Sequence, residues 1–378
     1  MSYMDMAITA GKKARGLSNP NPPVGAVIVK GKQVLSEGFT GKPGSPHAEI
    51  MAISAAGDNV RDSTLYVTLE PCCHFGRTPP CTEAIINSGI AKVFIAVEDP
   101  DGRVSGKGVE QLRKAGIEVL LGPGKEETKV DLEAHIKLSE TGLPFVTAKF
   151  AMSLDGKIAS SSGESKWITS EESRMVSHAM RLESDAIMVG VNTVLVDDPR
   201  LTARLENRNV DRQPLRVIID SDGRIPVNSS MLSEDGSTFV ATARNVRFSD
   251  RIKNLSTRAF PDKKGKVDLI SVLEYLGKIP VSSVFVEGGS EILGSLFDQG
   301  LVDKVAAFIS PSIIGGTDSL GAVGGIGAKF MSDKYVLTGV KREFIGSDIL
   351  VTGYCLSLIH ISEPTRRTPI SYAVFCLK

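Results

Sequence analysis

The sequence predicts two successive α/β domains, and three observations carry that expectation. Helix-like and strand-like patterns alternate twice along the chain. Gly122, Pro123 and Gly124 punctuate the chain between the two series. At 378 residues the chain exceeds one average domain, so each half can bury its own core.

In the first series, "MDMAITAGKKARG" has helical periodicity, "VGAVIVK" reads as a buried strand, "HAEIMAISAAG" as a helix and "TLYVTLE" as a strand. A cysteine-rich segment follows, then a helix in "CTEAIINSG", a strand "KVFIAV", a helix in "GKGVEQLRKAG" and a strand "IEVLL". These elements place a first domain at 1–122. The polar run "KEETKVDLEAHIKLSET" predicts a connecting helix within a linker at 123–143. A second domain, 144–355, opens with "FVTAKFAMSLDGKIA". It continues through strands "DAIMVG", "LRVIID", "TFVAT", "VSSVFVEGG" and "DILVTGY", with helices in "SEESRMVSHAMRLES", "DLISVLEYLG" and "SEILGSLFDQG". Residues 356–378 show neither periodicity and read as a foreign, adapter-like or vector-like tail, so His360 and Cys376 are excluded from any site.

Composition removes several function classes. The 44 Lys and Arg balance 44 Asp and Glu, giving no global electrostatic reason for a nucleic-acid or anionic-membrane partner. The N-terminus lacks a secretory pattern, and no apolar run reaches the ~18 residues of a bilayer span, so the expectation is a cytoplasmic protein. The five cysteines are an odd set, three of them within "LEPCCHFGRTPPCTEAI", which is not the spacing of a disulfide framework. Metal binding or catalysis is the better reading.

The chemistry of that segment is read together with "PHAEIMAI" upstream. His47 and Glu49 open a helix, Pro71 and Cys72 supply a Pro-Cys pair, and Cys81 follows after eight residues. An imidazole and two thiolates suit zinc and leave a fourth position for water. Zinc activates that water, and a neighbouring carboxylate can carry its proton to a leaving amine, as in zinc nucleobase deaminases. The eight-residue insertion must loop out so that Cys81 begins the next helix, which Pro79 and Pro80 favour. Alternatives are a closed structural site with His74 as fourth ligand, an exchange of Cys72 with Cys73, and a redox dithiol. The chain lacks the Cys-x-x-Cys that a redox dithiol would use.

"NPNPPVGAVIVK", "PHAE", "TLEPCCHFGRTPPC" and "EDPDGRVSGKG", in this order and spacing, resemble the family of bifunctional riboflavin biosynthesis proteins. In the second half, "KFAMSLDGKIA", "SKWITS", "MRLESDAIMVGVNTVLVDDPRLTAR", "VIIDS" and "VEGGS" continue the resemblance. It implies a cytidine-deaminase-like three-layer domain followed by a dihydrofolate-reductase-like α/β domain. The implied reactions are hydrolytic deamination of 2,5-diamino-6-ribosylamino-4(3H)-pyrimidinone 5′-phosphate and then NADPH-dependent reduction of its ribosyl group to ribityl. His47, Cys72 and Cys81 would be zinc ligands, Glu49 the proton shuttle, and Asn21, Arg77 and Asp99 would hold base and phosphate. NADPH would lie against Ala151, Trp167, Thr193, Asp197, Ser221, Gly289 and Ser290, and the reductase substrate against Ser165, Arg181, Leu201, Arg204 and Glu287. The Gly288-Gly289 turn between a strand and a helix suits a pyrophosphate. Lys149 is a further candidate near the sugar, and Asp155 reads as a turn residue. The resemblance also implies a small-molecule substrate and a homo-oligomer, dimer or larger.

Two positions depart from the family pattern: Thr40 stands where relatives carry histidine, and Asp101 where they carry asparagine. They motivate a second reading, a reductase whose zinc-binding N-terminal domain no longer turns over. A third reading, a nucleic-acid-directed deaminase or a zinc-binding module fused to a structural domain, needs an aromatic and basic groove that the sequence does not offer.

Overall fold

The computed structural model describes residues 1–75, 79–205, 210, 212–248 and 252–355. The expected tail at 356–378 lies outside the described residues.

The first sheet comprises β1 (Gly25–Lys30), β2 (Gln33–Phe39), β3 (Thr64–Leu69), β4 (Lys92–Val97) and β5 (Glu118–Leu121), in the order β2-β1-β3-β4-β5. β3, β4 and β5 run parallel, while β1 pairs antiparallel with both β2 and β3. The apolar run of β1 serves both faces, as the two-residue strand period requires. Ala26 and Ile28 pack with Ala48, Ala52, Ile85 and Leu112 from helices on one side, whereas Val27 and Val29 pack with Met4, Ala7 and Ile8 of the N-terminal helix on the other. The result is helix, sheet, helix. Gly25 permits that N-terminal helix to lie close, since a Cβ there would sit 1.9 Å from the Ala7 carbonyl oxygen.

The connecting segment is two helices rather than one. Lys125–Asp131 and Glu133–Thr141 meet at Leu132, whose fully buried side chain joins the first core. The second helix bridges the two sheets. His135 Nε2 lies 3.0 Å from Asp99, while Glu133 accepts from the Tyr354 hydroxyl at 2.7 Å and pairs with Lys304, and Lys137 pairs with Asp303.

The second sheet contains β6 (Phe145–Ser153), β7 (Ala186–Gly190), β8 (Leu215–Ile219), β9 (Thr238–Thr242), β10 (Leu255–Ala259), β11 (Ser283–Glu287), β12 (Lys304–Ser310), β13 (Thr338–Ile345) and β14 (Asp348–Tyr354). Their order is β10-β9-β8-β7-β11-β6-β12-β14-β13, parallel from β10 to β12 and closed by the antiparallel pair β14 and β13. Val146, Val217, Val284 and Val286 meet helices Leu269–Lys278 and Ser290–Asp298 on one face. Ile187, Val189 and Ile218 meet helix Val191–Asp197 on the other, and Ala306 and Phe308 meet Val176 and Met180 of helix Glu171–Glu183. Because β6, β11, β7 and β8 are parallel neighbours, their carboxyl ends share one edge, where α/β sheets bind ligands.

Candidate active sites

The first site is built where two helices begin. His47 is the residue preceding helix Ala48–Ala56, in extended conformation, and Cys81 is the first residue of helix Cys81–Ser88, directly after Pro80. Cys72 follows the end of β3. Their ligating atoms all lie within 4.8 Å of one another: His47 Nδ1 is 3.2 Å from Cys81 Sγ and 3.7 Å from Cys72 Sγ. The Cys81 backbone N–H points at Cys72 Sγ, 3.4 Å away. A helix start favours a thiolate, and the Cys72 thiol is held down to about 4, first by its hydrogen bond with Cys81, whose own thiol is pushed up by the same contact. One imidazole and two cysteine sulfurs converging from three elements fit a tetrahedral zinc with one open position.

Glu49 sits in the first turn of the same helix as His47, 4% exposed, and burial raises its carboxyl above the usual range. His74 and Cys73 are not members of the cluster among the described residues; Cys73 is half-buried, with its sulfur toward the Arg103 carbonyl. Asn21 lies half-buried in the turn that precedes β1, its backbone N–H donating to Ser18. Asp99 is buried in the loop after β4, accepts from the Asp101 backbone N–H at 3.0 Å and contacts His135. Arg77 lies outside the described residues. The two departures from the family pattern are both locally accommodated. The Thr40 hydroxyl accepts from the Val24 backbone N–H at 3.2 Å, and the Asp101 carboxylate is forked by Arg103, which holds it down to about 2.

The second site is a cavity of about 1030 Å³ along the carboxyl edge of the second sheet. All the cofactor and substrate candidates of this half line it: Ala151, Trp167, Thr193, Asp197, Ser221, Gly289 and Ser290 for the cofactor, and Ser165, Arg181, Leu201, Arg204 and Glu287 for the substrate. Gly288 and Gly289 turn from β11 into the next helix with φ of 78° and 82°, a region costly for any residue with a Cβ. Trp167 is 72% exposed at the rim, with the Arg174 guanidinium 4.3 Å from its ring, so it is no core residue. Ser165 donates to Asp197 at 2.8 Å, joining a substrate candidate to a cofactor candidate.

The charges in this cavity are paired unequally. Burial raises the Glu287 carboxyl, but Arg181, forked onto it, and Lys149, 3.6 Å away, outweigh burial and hold it low. Burial in turn lowers the Lys149 ammonium. Arg204 instead meets a neutral partner, His178 Nε2, at 3.3 Å, and no carboxylate among the described residues pairs directly with it. Neither Lys149 nor His178 lines the cavity. Asp155 is a turn residue, accepting from Ser153 and from the backbone of Ile314 and Gly315. His178 carries no motif and was not legible in the sequence, although its place three residues before Arg181 puts both on one helix face.

Comparison with known proteins covers both halves. Residues 1–97 match the family described as cytidine and deoxycytidylate deaminase zinc-binding region, and residues 144–351 match the RibD C-terminal domain. The chain is 41% identical over 351 residues to the riboflavin biosynthesis protein RibD of Aquifex aeolicus, covering 93% of this chain and 97% of that protein. It is 36% identical over 368 residues to RibD of Escherichia coli, covering 94% and 98%. Among solved structures, a diaminohydroxyphosphoribosylaminopyrimidine deaminase/5-amino-6-(5-phosphoribosylamino)uracil reductase of Thermotoga maritima superposes with a TM-score of 0.84 at 40% identity, covering 93% of this chain and 97% of that one. RibD of Acinetobacter baumannii superposes with a TM-score of 0.85 at 32% identity, with the same coverage.

Proposed function

The chain belongs to the RibD family of bifunctional riboflavin biosynthesis proteins, and from that premise we propose which of its residues carry each half of the activity. It is a zinc-dependent deaminase of the diaminopyrimidinone ribosylamino phosphate and an NADPH-dependent reductase of the resulting ribosylaminouracil phosphate. A reductase with an inactive zinc domain is not favoured, since the match spans both halves and the metal cluster is intact. We place the deaminase at 1–122, the linker at 123–143 and the reductase at 144–355.

In the first half His47, Cys72 and Cys81 would hold the metal, and zinc bound there supplies a Lewis acid that makes the attacking water acidic near neutral pH. Glu49 takes the proton of that water and delivers it to the departing amine, which leaves as ammonia. Its place supports this role: Glu49 is buried in the first turn of the helix that His47 precedes, so its carboxyl is held on the same side as the metal ligands and away from bulk water. Asn21, Arg77 and Asp99 would hold the pyrimidine and its phosphate.

In the second half NADPH supplies hydride to the sugar. Ala151, Trp167, Thr193, Asp197, Ser221, Gly289 and Ser290 would hold the cofactor, with the backbone N–H groups after Gly288 facing its pyrophosphate. Ser165, Leu201 and Glu287 would position the ribosyl group. Arg204 is better placed for the substrate phosphate than Arg181, whose guanidinium is already forked onto Glu287. The observation that carries this reading is the gathering of all twelve residues around one cavity.

We further place the enzyme in the cytoplasm, as a homo-oligomer. Among the described residues no helix is long and apolar enough to cross a membrane. The outer strand β13 is largely exposed and carries Phe344 at 83% exposure, an edge available to a second copy. The function is tested by supplying the diaminopyrimidinone substrate to the zinc-loaded chain and following ammonia and NADPH together. One ammonia released per NADPH oxidised supports the bifunctional reading, and NADPH oxidation without ammonia contradicts it.

A further inference from the structure

Preference for NADPH over NADH depends on what meets the 2′-phosphate of the adenosine ribose. The topology fixes where this phosphate must lie. Along the carboxyl edge of the second sheet the neighbours run β6, β11, β7, β8. Ala151 belongs to β6, the Gly288-Gly289 turn follows β11, and Ser221 follows β8. Neighbouring strands are spaced ~4.8 Å apart, so Ser221 lies roughly 14 Å along the edge from Ala151. The hydride end of the dinucleotide must be near the substrate residues, with Glu287 at the end of β11 and Ala151 beyond it. A pyrophosphate on the Gly288-Gly289 turn then sends the adenosine toward β8.

At that end the cavity is lined by two cations, Arg224 and Lys266. The Arg224 guanidinium is oriented by Asn192, donating to its side-chain oxygen at 3.0 Å. Its nearest carboxylate, Asp220, is 4.0 Å away and fully buried, with both oxygens already accepting backbone N–H groups of Gly223 and Ile225. The Lys266 ammonium makes no hydrogen bond or ion pair with the described residues. Of the other acidic groups near this end, Asp222 is paired with Arg244, Asp262 accepts the backbone N–H groups of Lys264 and Lys266, and Glu291 lies 3.5 Å from the Asn192 side-chain nitrogen. An oriented guanidinium and an ammonium with no partner among the described residues thus line one cavity, both exposed, and cations of this kind suit a phosphate dianion.

We propose that Arg224 and Lys266 hold the 2′-phosphate of NADPH and set the preference for NADPH over NADH, an inference that rests on reading the cavity as the NADPH site. The probes are adenosine 2′,5′-bisphosphate and 5′-AMP, which share the adenosine and differ in the 2′-phosphate. Their binding to the full chain is measured by calorimetry, for wild type, Arg224→Gln, Lys266→Gln and the double variant. Wild type should bind the bisphosphate at least tenfold more tightly than 5′-AMP. Each single change should weaken the bisphosphate by roughly tenfold, and the double variant should bind the two nucleotides alike. The ratio of kcat/KM for NADPH over NADH should fall in parallel. A double variant that keeps the wild-type preference overturns the assignment while leaving the reductase reading in place. A wild type that binds neither nucleotide overturns both.

Discussion

Arg204 donates a hydrogen bond to the imidazole Nε2 of His178 at 3.3 Å, and the direction of that bond is fixed by the other ring nitrogen. His178 Nδ1 lies 3.1 Å from the Thr202 carbonyl oxygen, an acceptor, so Nδ1 carries the hydrogen and Nε2 must accept. Burial, then the charges of Arg181 and Arg204, push the imidazole pKa down to about 4, with Glu287 opposing them. A neutral histidine thus orients Arg204 without competing, as a carboxylate would, with the phosphate proposed to bind there. His178→Gln, which can keep an acceptor, should retain near-wild-type reductase KM for the phosphorylated substrate. His178→Phe should raise KM about tenfold with kcat changed less than twofold, measured by steady-state NADPH oxidation.

The same depressed pKa has a stability consequence. Since the folded value lies below the ordinary value of 6.5, the unfolded chain binds the proton first as pH falls. Stability from this group is complete above about pH 6.5 and is lost progressively toward pH 4. His178→Gln removes the group, so the wild type should lose about 1 kcal/mol more than the variant between pH 7 and pH 5, allowing for a ring that is only half buried. Urea midpoints at the two pH values test this.

Removal of the metal should separate the two activities. Chelation removes the ion and Cys81→Ala one of the three donors that converge on it, and either should abolish ammonia release and zinc content together. Reduction of pre-deaminated substrate should persist within twofold, because among the described residues none that lines the second cavity comes from the first sheet.

Glu70 is a buried carboxylate that organises the loop carrying Asp99. It accepts backbone N–H groups from Asp99 at 3.2 Å, Gly106 at 3.0 Å and Val109 at 3.0 Å. Glu70→Ala leaves three donors without a partner and should destabilise the first domain by roughly 3 kcal/mol or more, with Glu70→Gln intermediate. Chemical unfolding followed by zinc release reads this directly.

Much of this architecture is legible in the sequence because buried parallel strands such as "VFIAV" and "AIMVG" are continuous apolar runs between turn residues. β2 and β13 are not, since "QVLSEGF" and "TGVKREFI" mix charges into edge strands with little burial. β12 is missed for a different reason: "KVAAFIS" is apolar, yet only a short loop sets it off from the preceding helix. The break of the linker helix at Leu132 depends on a tertiary contact. At the sites, His47, Cys72 and Cys81 announce themselves by residue type, whereas His178, Arg224 and Lys266 are common residues whose meaning comes from their neighbours. Trp167, ambiguous by composition, lies exposed at the cavity rim and not in the core.

The central claim is that one chain holds two separate active sites, the first turning on Glu49. Its most direct test is ammonia release from the diaminopyrimidinone substrate by zinc-loaded Glu49→Gln, with zinc content and NADPH oxidation on pre-deaminated substrate measured alongside. Ammonia release should fall at least a thousandfold, with about one zinc per chain retained and reduction within twofold of wild type. Ammonia release within tenfold of wild type would contradict the claim and move the proton transfer to another residue.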